Sequence, residues 1–230
     1  MDIVKLIDEA IMKEVGEQSP RTYMGASGLG EQCDAKLWYN YKFPRTIENP
    51  RIHRIFQLGH NLEEVMIKYI RAVGLVLHTH DNDGNQFGFK DGIIAGHIDG
   101  VIELENGPAL VEFKTFNTKR FETFKKKGVK ESDPKYYTQV QVYMMKLDLD
   151  YCMFMGIDKN DCEIHVEYIN YDPIEANWAI NRGKQIGEEK ERPNRKYTHR
   201  SNFNCKLCDH RKDCWVDADE EPGGDVVRVD

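Results

Sequence analysis

Long hydrophobic runs are missing from this sequence. Nowhere in its 230 residues do about 18 apolar side chains follow one another, which excludes a membrane-spanning helix. A basic start followed by an apolar stretch is missing too. Met1-Asp-Ile-Val-Lys reads as the acidic opening of a helix and not as a secretory leader, so a cytoplasmic location is expected. Positive charge is in short supply: 32 Lys and Arg face 39 Asp and Glu, a formal net charge of -7. That excludes a generally basic nucleic-acid coat but leaves room for local basic faces. Neither an internal repeat nor a linker divides the chain. One domain is expected.

What is present is a globular composition, 40% hydrophobic and 31% charged, sufficient for one sizeable α/β core. Apolar residues recur at helical spacing from Asp2 to Val15 and again from Ile52 to Ala72, where Gly74 supplies the stop. Gly25 to Gly30 reads as a flexible loop, and Cys33 to Lys42 as a short aromatic helix ended before Pro44. Strand-like segments follow at 75–79, 86–89, 92–104 and 109–116, separated by Asp83-Gly84, Asp91-Gly92 and Asn106-Gly107, which have the composition of hairpin turns. Pro134 opens a helix through about Met145. Two more strands are expected at 151–157 and 163–169, and a last helix from Pro173 to about Lys190. From Asp217 the tail is acidic and Gly-rich, and disorder is expected there.

One group of residues carries chemistry. In Val111-Glu112-Phe113-Lys114-Thr115, strand alternation puts Glu112 and Lys114 on one face and turns Phe113 into the core. The Asn106-Gly107 turn folds the strand bearing Asp99 back beside them. Two carboxylates so placed suit a hard divalent cation such as Mg²⁺ or Mn²⁺. A neighbouring lysine can then orient a water for attack on phosphorus. Farther on, Tyr136, Gln139 and Tyr143 fall at i, i+3 and i+7, one stripe of a helix. A glutamine amide inside an otherwise packed stripe needs polar partners, which a metal-and-phosphate site provides.

Cysteine usage is uneven. Three of the 6 cluster as Cys205-Lys-Leu-Cys208-Asp-His-Arg-Lys-Asp-Cys214, and Cys33 stands far upstream. In a reducing compartment this spacing reads as metal or cluster ligation and not as disulfides. Cys152 and Cys162 read as small buried hydrophobes. Two basic stretches run against the average: Lys119, Arg120, Lys125, Lys126, Lys127 and Lys130 in the first, Arg192 to Lys212 in the second. Either is a solvated face unless it borders a site.

Gly96-His-Ile-Asp99, Glu112-Phe113-Lys114-Thr115 and Gln139-x3-Tyr143, in that order, resemble the motifs of the RecB-type branch of the PD-(D/E)xK nuclease superfamily. Gly59-His-Asn-Leu-Glu63 is similar to the family's upstream helical motif, with Glu63 in the ligand place and His60 ranking behind it. The resemblance implies a restriction-endonuclease-like fold, a mixed central sheet flanked by helices, and a DNA exonuclease acting on single-stranded ends. It implies a metal held by Glu63, Asp99, Glu112 and the Phe113 backbone carbonyl, with Lys114, Gln139 and Tyr143 completing the catalytic set. DNA contacts are then expected from Lys119, Arg120, Lys125, Lys126, Lys127 and Tyr136. Trp38, Tyr39 and Tyr41 are further candidates for stacking on bases, although packing competes for them.

Cys33, Cys205, Cys208 and Cys214 have the layout by which AddB-type nucleases and the fourth CRISPR-associated family hold a [4Fe-4S] cluster. Four thiolates serve a Zn²⁺ ion equally well, and spacing alone does not separate the two. On this reading residues 1–216 are one nuclease domain, with a catalytic core at 50–190 and cluster segments at 20–45 and 195–216. No Gly-x4-Gly-Lys-Ser/Thr motif accompanies it, so a nuclease without a helicase motor is implied. The family's settings imply a bacterial or phage-infected cell and partner proteins of recombination, replication or CRISPR adaptation. The competing reading is a DNA-binding module with an inactive nuclease-like core and a structural four-cysteine site.

Overall fold

The computed structural model of the chain describes residues 1–17, 21–44 and 49–216. The acidic tail from Asp217, where disorder is expected, lies outside the described residues. Among these residues no helix is long and apolar enough to cross a membrane.

Helix boundaries follow local chemistry. Asp2 caps α1 (Ile3–Gly16) by accepting the Lys5 N–H at 3.1 Å. A short strand, β1 (Met24–Gly25), and one 3₁₀ turn lead to α2 (Asp34–Lys42), whose N-cap is Cys33. Asn49 caps α3 (Pro50–Ala72) with Pro50 in its first turn, and Gly74, at φ 85, ends it as expected.

The sheet strands are β2 (Leu77–His78), β3 (Gly88–Asp91), β4 (Ile94–His97), β5 (Gly100–Leu104) and β6 (Gly107–Phe116). Two helices, α4 (Thr118–Ser132) and α5 (Pro134–Leu147), then cross to β7 (Tyr151–Asp158). β8 (Ile164–Asn170), α6 (Pro173–Glu188) and two four-residue helices, α7 (Phe203–Lys206) and α8 (Arg211–Cys214), complete the described chain.

The larger sheet has the order β2-β5-β6-β7-β8; β6 and β7 are parallel and the other pairs antiparallel. The smaller sheet has the order β1-β4-β3. Mixed sheets flanked by helices are the restriction-endonuclease-like architecture expected from the sequence. β6 lies at the centre of the larger sheet, and its 109–113 run is buried on both faces. One face packs Leu110 and Phe116 with Val140, Tyr143 and Met144 of α5. The other packs Val111 and Phe113 against Met66 and Ile70 of α3.

Two expectations need correction. The single strand expected over 92–104 is two strands in two sheets, broken at Ile98-Asp99. Ile98 is fully buried and donates its N–H to Phe87 O at 3.0 Å, anchoring the chain as it passes between sheets. The basic segment after Lys114, read only as a charged stretch, is helix α4: Phe121, Phe124 and Val129 are buried beneath it. Lys119, Lys126, Lys127 and Lys130 are exposed around these buried positions, which is why charge obscures the apolar spacing.

The N-terminal loop is bound to distant parts of the chain. Arg182 of α6 donates to Leu29 O (2.8 Å), Glu31 O (2.6 Å) and the Asp34 carboxylate (2.5 Å). Trp38 Nε1 donates to Glu189 O at 3.0 Å, and Lys42 Nζ to Gly187 O at 2.8 Å. At Gly30 a Cβ would come within 2.7 Å of Lys135 Cα, so only glycine lets this loop lie on the first turn of α5.

Candidate active site

The break between β4 and β5 positions Asp99. Gly100 is the last β5 residue paired with β6, opposite Val111. Beyond it the Asp99 side chain takes over the ladder, its Oδ2 accepting the Phe113 N–H at 2.7 Å. Glu112, only 1% exposed, points from β6 toward α5. Its Oε1 accepts from Lys114 Nζ and, at 2.8 Å, from Gln139 Nε2. The Gln139 amide also reaches Tyr143 Oη at 3.2 Å, so the stripe of α5 does face the strand motif. Lys114 lies with its ammonium 4.9 Å from the Tyr136 ring centroid, a cation–π contact.

Asp99, Phe113, Lys114 and Tyr136 border a cavity of about 480 Å³ between α3 and the end of β6, while Glu112, Gln139 and Tyr143 are buried and do not line it. Glu63 and His60 enter it from α3, and Asp99, Lys114, Arg120 and Tyr136 from the other side. The structure therefore brings Glu63, Asp99, Glu112, Lys114, Gln139 and Tyr143 together.

The electrostatics are those of crowded carboxylates. Burial, and then the Asp99 charge, push Glu112 up to about 8. Burial and Asp99 likewise push Glu63 up to about 7, and burial raises Asp99. Burial opposes the charge on Lys114, but Glu112 and Asp99 outweigh it and the ammonium is held well above its ordinary range. Burial, then Glu112, raises the Tyr143 phenol.

Three carboxylates crowd one ammonium, and Glu112 Oε2 is buried with no hydrogen-bond partner. An orphaned carboxylate oxygen beside two other acidic groups fits a hard cation. Glu63 and Asp99 line the cavity and Glu112 is buried, without closing a ready-made ion cage: among the described residues no three His, Cys, Asp or Glu side chains form one.

Of the expected DNA contacts, Arg120 and Tyr136 border the cavity. Arg120 is braced by Asp133 at 2.6 Å and lies over the Phe116 and Tyr136 rings, at 5.4 and 5.8 Å. Lys125 pairs with Glu163 at 2.5 Å and Lys127 with Glu131 at 2.6 Å, along α4 and away from the carboxylates. Lys119 and Lys126 are exposed. Trp38 is buried, and Tyr39 and Tyr41 pack against the core.

Cys33, Cys205, Cys208 and Cys214 line a second cavity, about 220 Å³, and all are free thiols. Burial raises Cys205 and Cys208, with the neighbouring Cys33 and Cys214 contributing. Arg195 belongs to this region, donating to Cys214 O at 2.8 Å with its guanidinium 4.4 Å from the Trp215 ring. Cys152 is buried as expected. Cys162 is not: it is exposed in the β7–β8 turn at φ 65, where its N–H closes the turn onto Asp158 O at 2.8 Å before β8 begins at Ile164.

Sequence reasoning missed Lys159 and Phe56, both on the first cavity's wall. Lys159 directly follows Asp158, the last residue of β7, and Phe56 lies seven positions before Glu63 on α3. The second spacing was readable; the cavity it borders was not.

No protein-family model matches the chain, and neither does any curated protein. Solved structures do. LHK-Exo, an alkaline exonuclease from Laribacter hongkongensis, is 18% identical over 78% of this chain and 90% of its own, with a TM-score of 0.51; it has also been solved in complex with dAMP. A phage-related exonuclease from Haemophilus somnus 129PT is 16% identical over 72% and 92%, with a TM-score of 0.52. SSO0001 is 14% identical over 91% and 94%, with a TM-score of 0.50. At such identities the likeness is one of fold.

Proposed function

We propose that this chain is a metal-dependent deoxyribonuclease that removes nucleotides from DNA ends, single strands first. The observation carrying this reading is the buried, unpartnered Glu112 Oε2 in the electrostatic neighbourhood of Asp99, Glu63 and Lys114, which line one cavity. The exonucleases among the fold's neighbours support it.

Glu63, Asp99, Glu112 and the Phe113 carbonyl would hold Mg²⁺ or Mn²⁺, which when bound supplies Lewis acidity toward a phosphoryl oxygen. Gln139 holds Glu112 Oε1 from α5 and so fixes the direction of Oε2. The Lys114 ammonium orients the attacking water and opposes charge that develops on the phosphate. Tyr143, hydrogen-bonded to Gln139, fixes the amide's orientation. Arg120 and Tyr136, on the cavity wall, meet the DNA strand.

Cys33, Cys205, Cys208 and Cys214 would hold a [4Fe-4S] cluster, with Zn²⁺ as the alternative. What supports a shared group there is that the four thiols line one cavity. Bound there, it would tie the start of α2 to the C-terminal helices.

The test is degradation of end-labelled single-stranded and duplex DNA with Mg²⁺ or Mn²⁺, comparing the wild type with Lys114→Ala. Metal-dependent cleavage lost in the variant establishes the site, and product lengths give polarity. Binding without cleavage under either metal would leave a DNA-binding module.

A further inference from the structure

The walls of the catalytic cavity differ in chemistry. On α3, Glu63, Gly59 and Phe56 stand at i, i−4 and i−7, one face of the helix. Phe56 is 52% exposed, and Ile55 and Leu58 beside it are 39% and 42% exposed. Three large apolar side chains open to solvent on one cavity form a patch suited to a flat apolar ligand. Between Phe56 and the Glu63 carboxylate, Gly59 leaves open space: a Cβ there would meet nothing within 4 Å.

The facing wall is cationic. Arg120 reaches it from α4, and Lys159 from the end of β7. The Lys159 backbone is fixed by its N–H to Phe116 O at 2.9 Å, while its side chain is exposed with no ion pair among the described residues. An apolar wall, a facing pair of cations and carboxylates at the base suit a ligand with a flat apolar part and an anionic group. About 480 Å³ falls within the range of small-ligand sites, roughly 300–1,000 Å³.

Resting on the nuclease reading above, we propose that this cavity is a terminal-nucleotide subsite. The base next to the scissile bond lies on Phe56, flanked by Ile55 and Leu58, and the neighbouring phosphate is held by Arg120 and Lys159. Stacking accepts any base, because every base has a flat π-face, so cleavage is sequence-tolerant. A base can reach Phe56 only when unpaired, so the subsite selects single-stranded or frayed ends.

The test uses the full chain and fluorescent single-stranded oligonucleotides in Ca²⁺, read by anisotropy, with an intact or an abasic terminal residue at each end in turn. The wild type is expected to bind one abasic end about five- to hundredfold more weakly, the range of base–aromatic stacking. Phe56→Ala weakens intact ends by a similar factor and no longer distinguishes them from abasic ones. Lys159→Gln weakens both ends alike and lowers the salt slope by about 0.7. Trp178→Ala, at an exposed aromatic on α6 outside this cavity, changes neither.

Equal wild-type affinity for intact and abasic ends overturns the proposal and leaves the α3 face to a protein partner. So does a Phe56→Ala protein that still discriminates between them. End discrimination without cleavage in Mg²⁺ or Mn²⁺ would uphold the subsite while the nuclease reading fails. Absence of any DNA binding would overturn both.

Discussion

Gln139 donates its amide to Glu112 Oε1 at 2.8 Å, joining the second helix of the β6–β7 crossover to the central strand. Both side chains are almost fully buried, at 4% and 1% exposure. In such surroundings a lost donor is not replaced by water. Gln139→Leu is therefore expected to destabilise the fold by about 1–3 kcal/mol and to lower the cleavage rate, since Glu112 is no longer aimed. Urea denaturation and single-turnover kinetics read the two effects separately.

Cation binding is the second expectation. The crowded carboxylates are relieved by a divalent ion, so saturating Mg²⁺ or Mn²⁺ raises the melting temperature of the wild type. At a hundredfold excess over Kd the gain is about 2.7 kcal/mol. Glu112→Gln removes the first partner of the part-buried Lys114 ammonium, so the variant melts below the wild type in EDTA, and it also loses most of the metal-induced shift. A variant that keeps the full shift would remove Glu112 from the ligand set.

Loss of one thiol tests the second cavity. Cys208→Ser protein, prepared without oxygen, is expected to lose the visible absorbance and bound iron of the wild type. Its C-terminal segment beyond Glu188 should become more open to protease, because the tie to α2 is gone. Wild-type protein that is colourless and carries one zinc per chain would establish the alternative ion.

Acid sensitivity has one traceable source at Asp172, the N-cap of α6. Its carboxylate accepts the Ile174 and Glu175 N–H groups at 3.1 and 3.2 Å and the Tyr137 hydroxyl at 3.2 Å. The Glu175 N–H, foremost, holds its pKa below the ordinary aspartate value. A depressed carboxylate stabilises the fold above its unfolded pKa, about 3.9, and loses that contribution as pH falls through the folded value. Asp172→Ala is expected to cost about 1 kcal/mol at pH 7. The gap from wild type should narrow below about pH 4, as chemical denaturation across pH would show.

The parts of the site that could be read beforehand are those set by local periodicity. Strand alternation pairs Glu112 with Lys114, a hairpin turn returns Asp99 to them, and helical spacing aligns Gln139 with Tyr143. None of these needs knowledge of distant contacts. The break at Ile98-Asp99 depends on which of two sheets claims each half of one extended segment, a tertiary choice without a local signal. α4 was hidden by its lysines. Phe56 and Lys159 are ordinary residues in their own segments and gain meaning only where α3 and the end of β7 enclose one space.

The grip of Arg182 on Leu29, Glu31 and Asp34 spans 148 to 153 positions of the chain. Trp38 and Lys42 make similar reaches, of 151 and 145 positions, to the end of α6. During synthesis the segment carrying Cys33 emerges early, and although β1 can pair with β4 once that strand is made, the contacts that hold α2 wait until α6 has left the ribosome. Its assembly is therefore a late event in the life of the nascent chain. A ribosome-bound chain halted before Asn181 should keep residues 34–44 cleavable by protease, and one released after Glu189 should protect them.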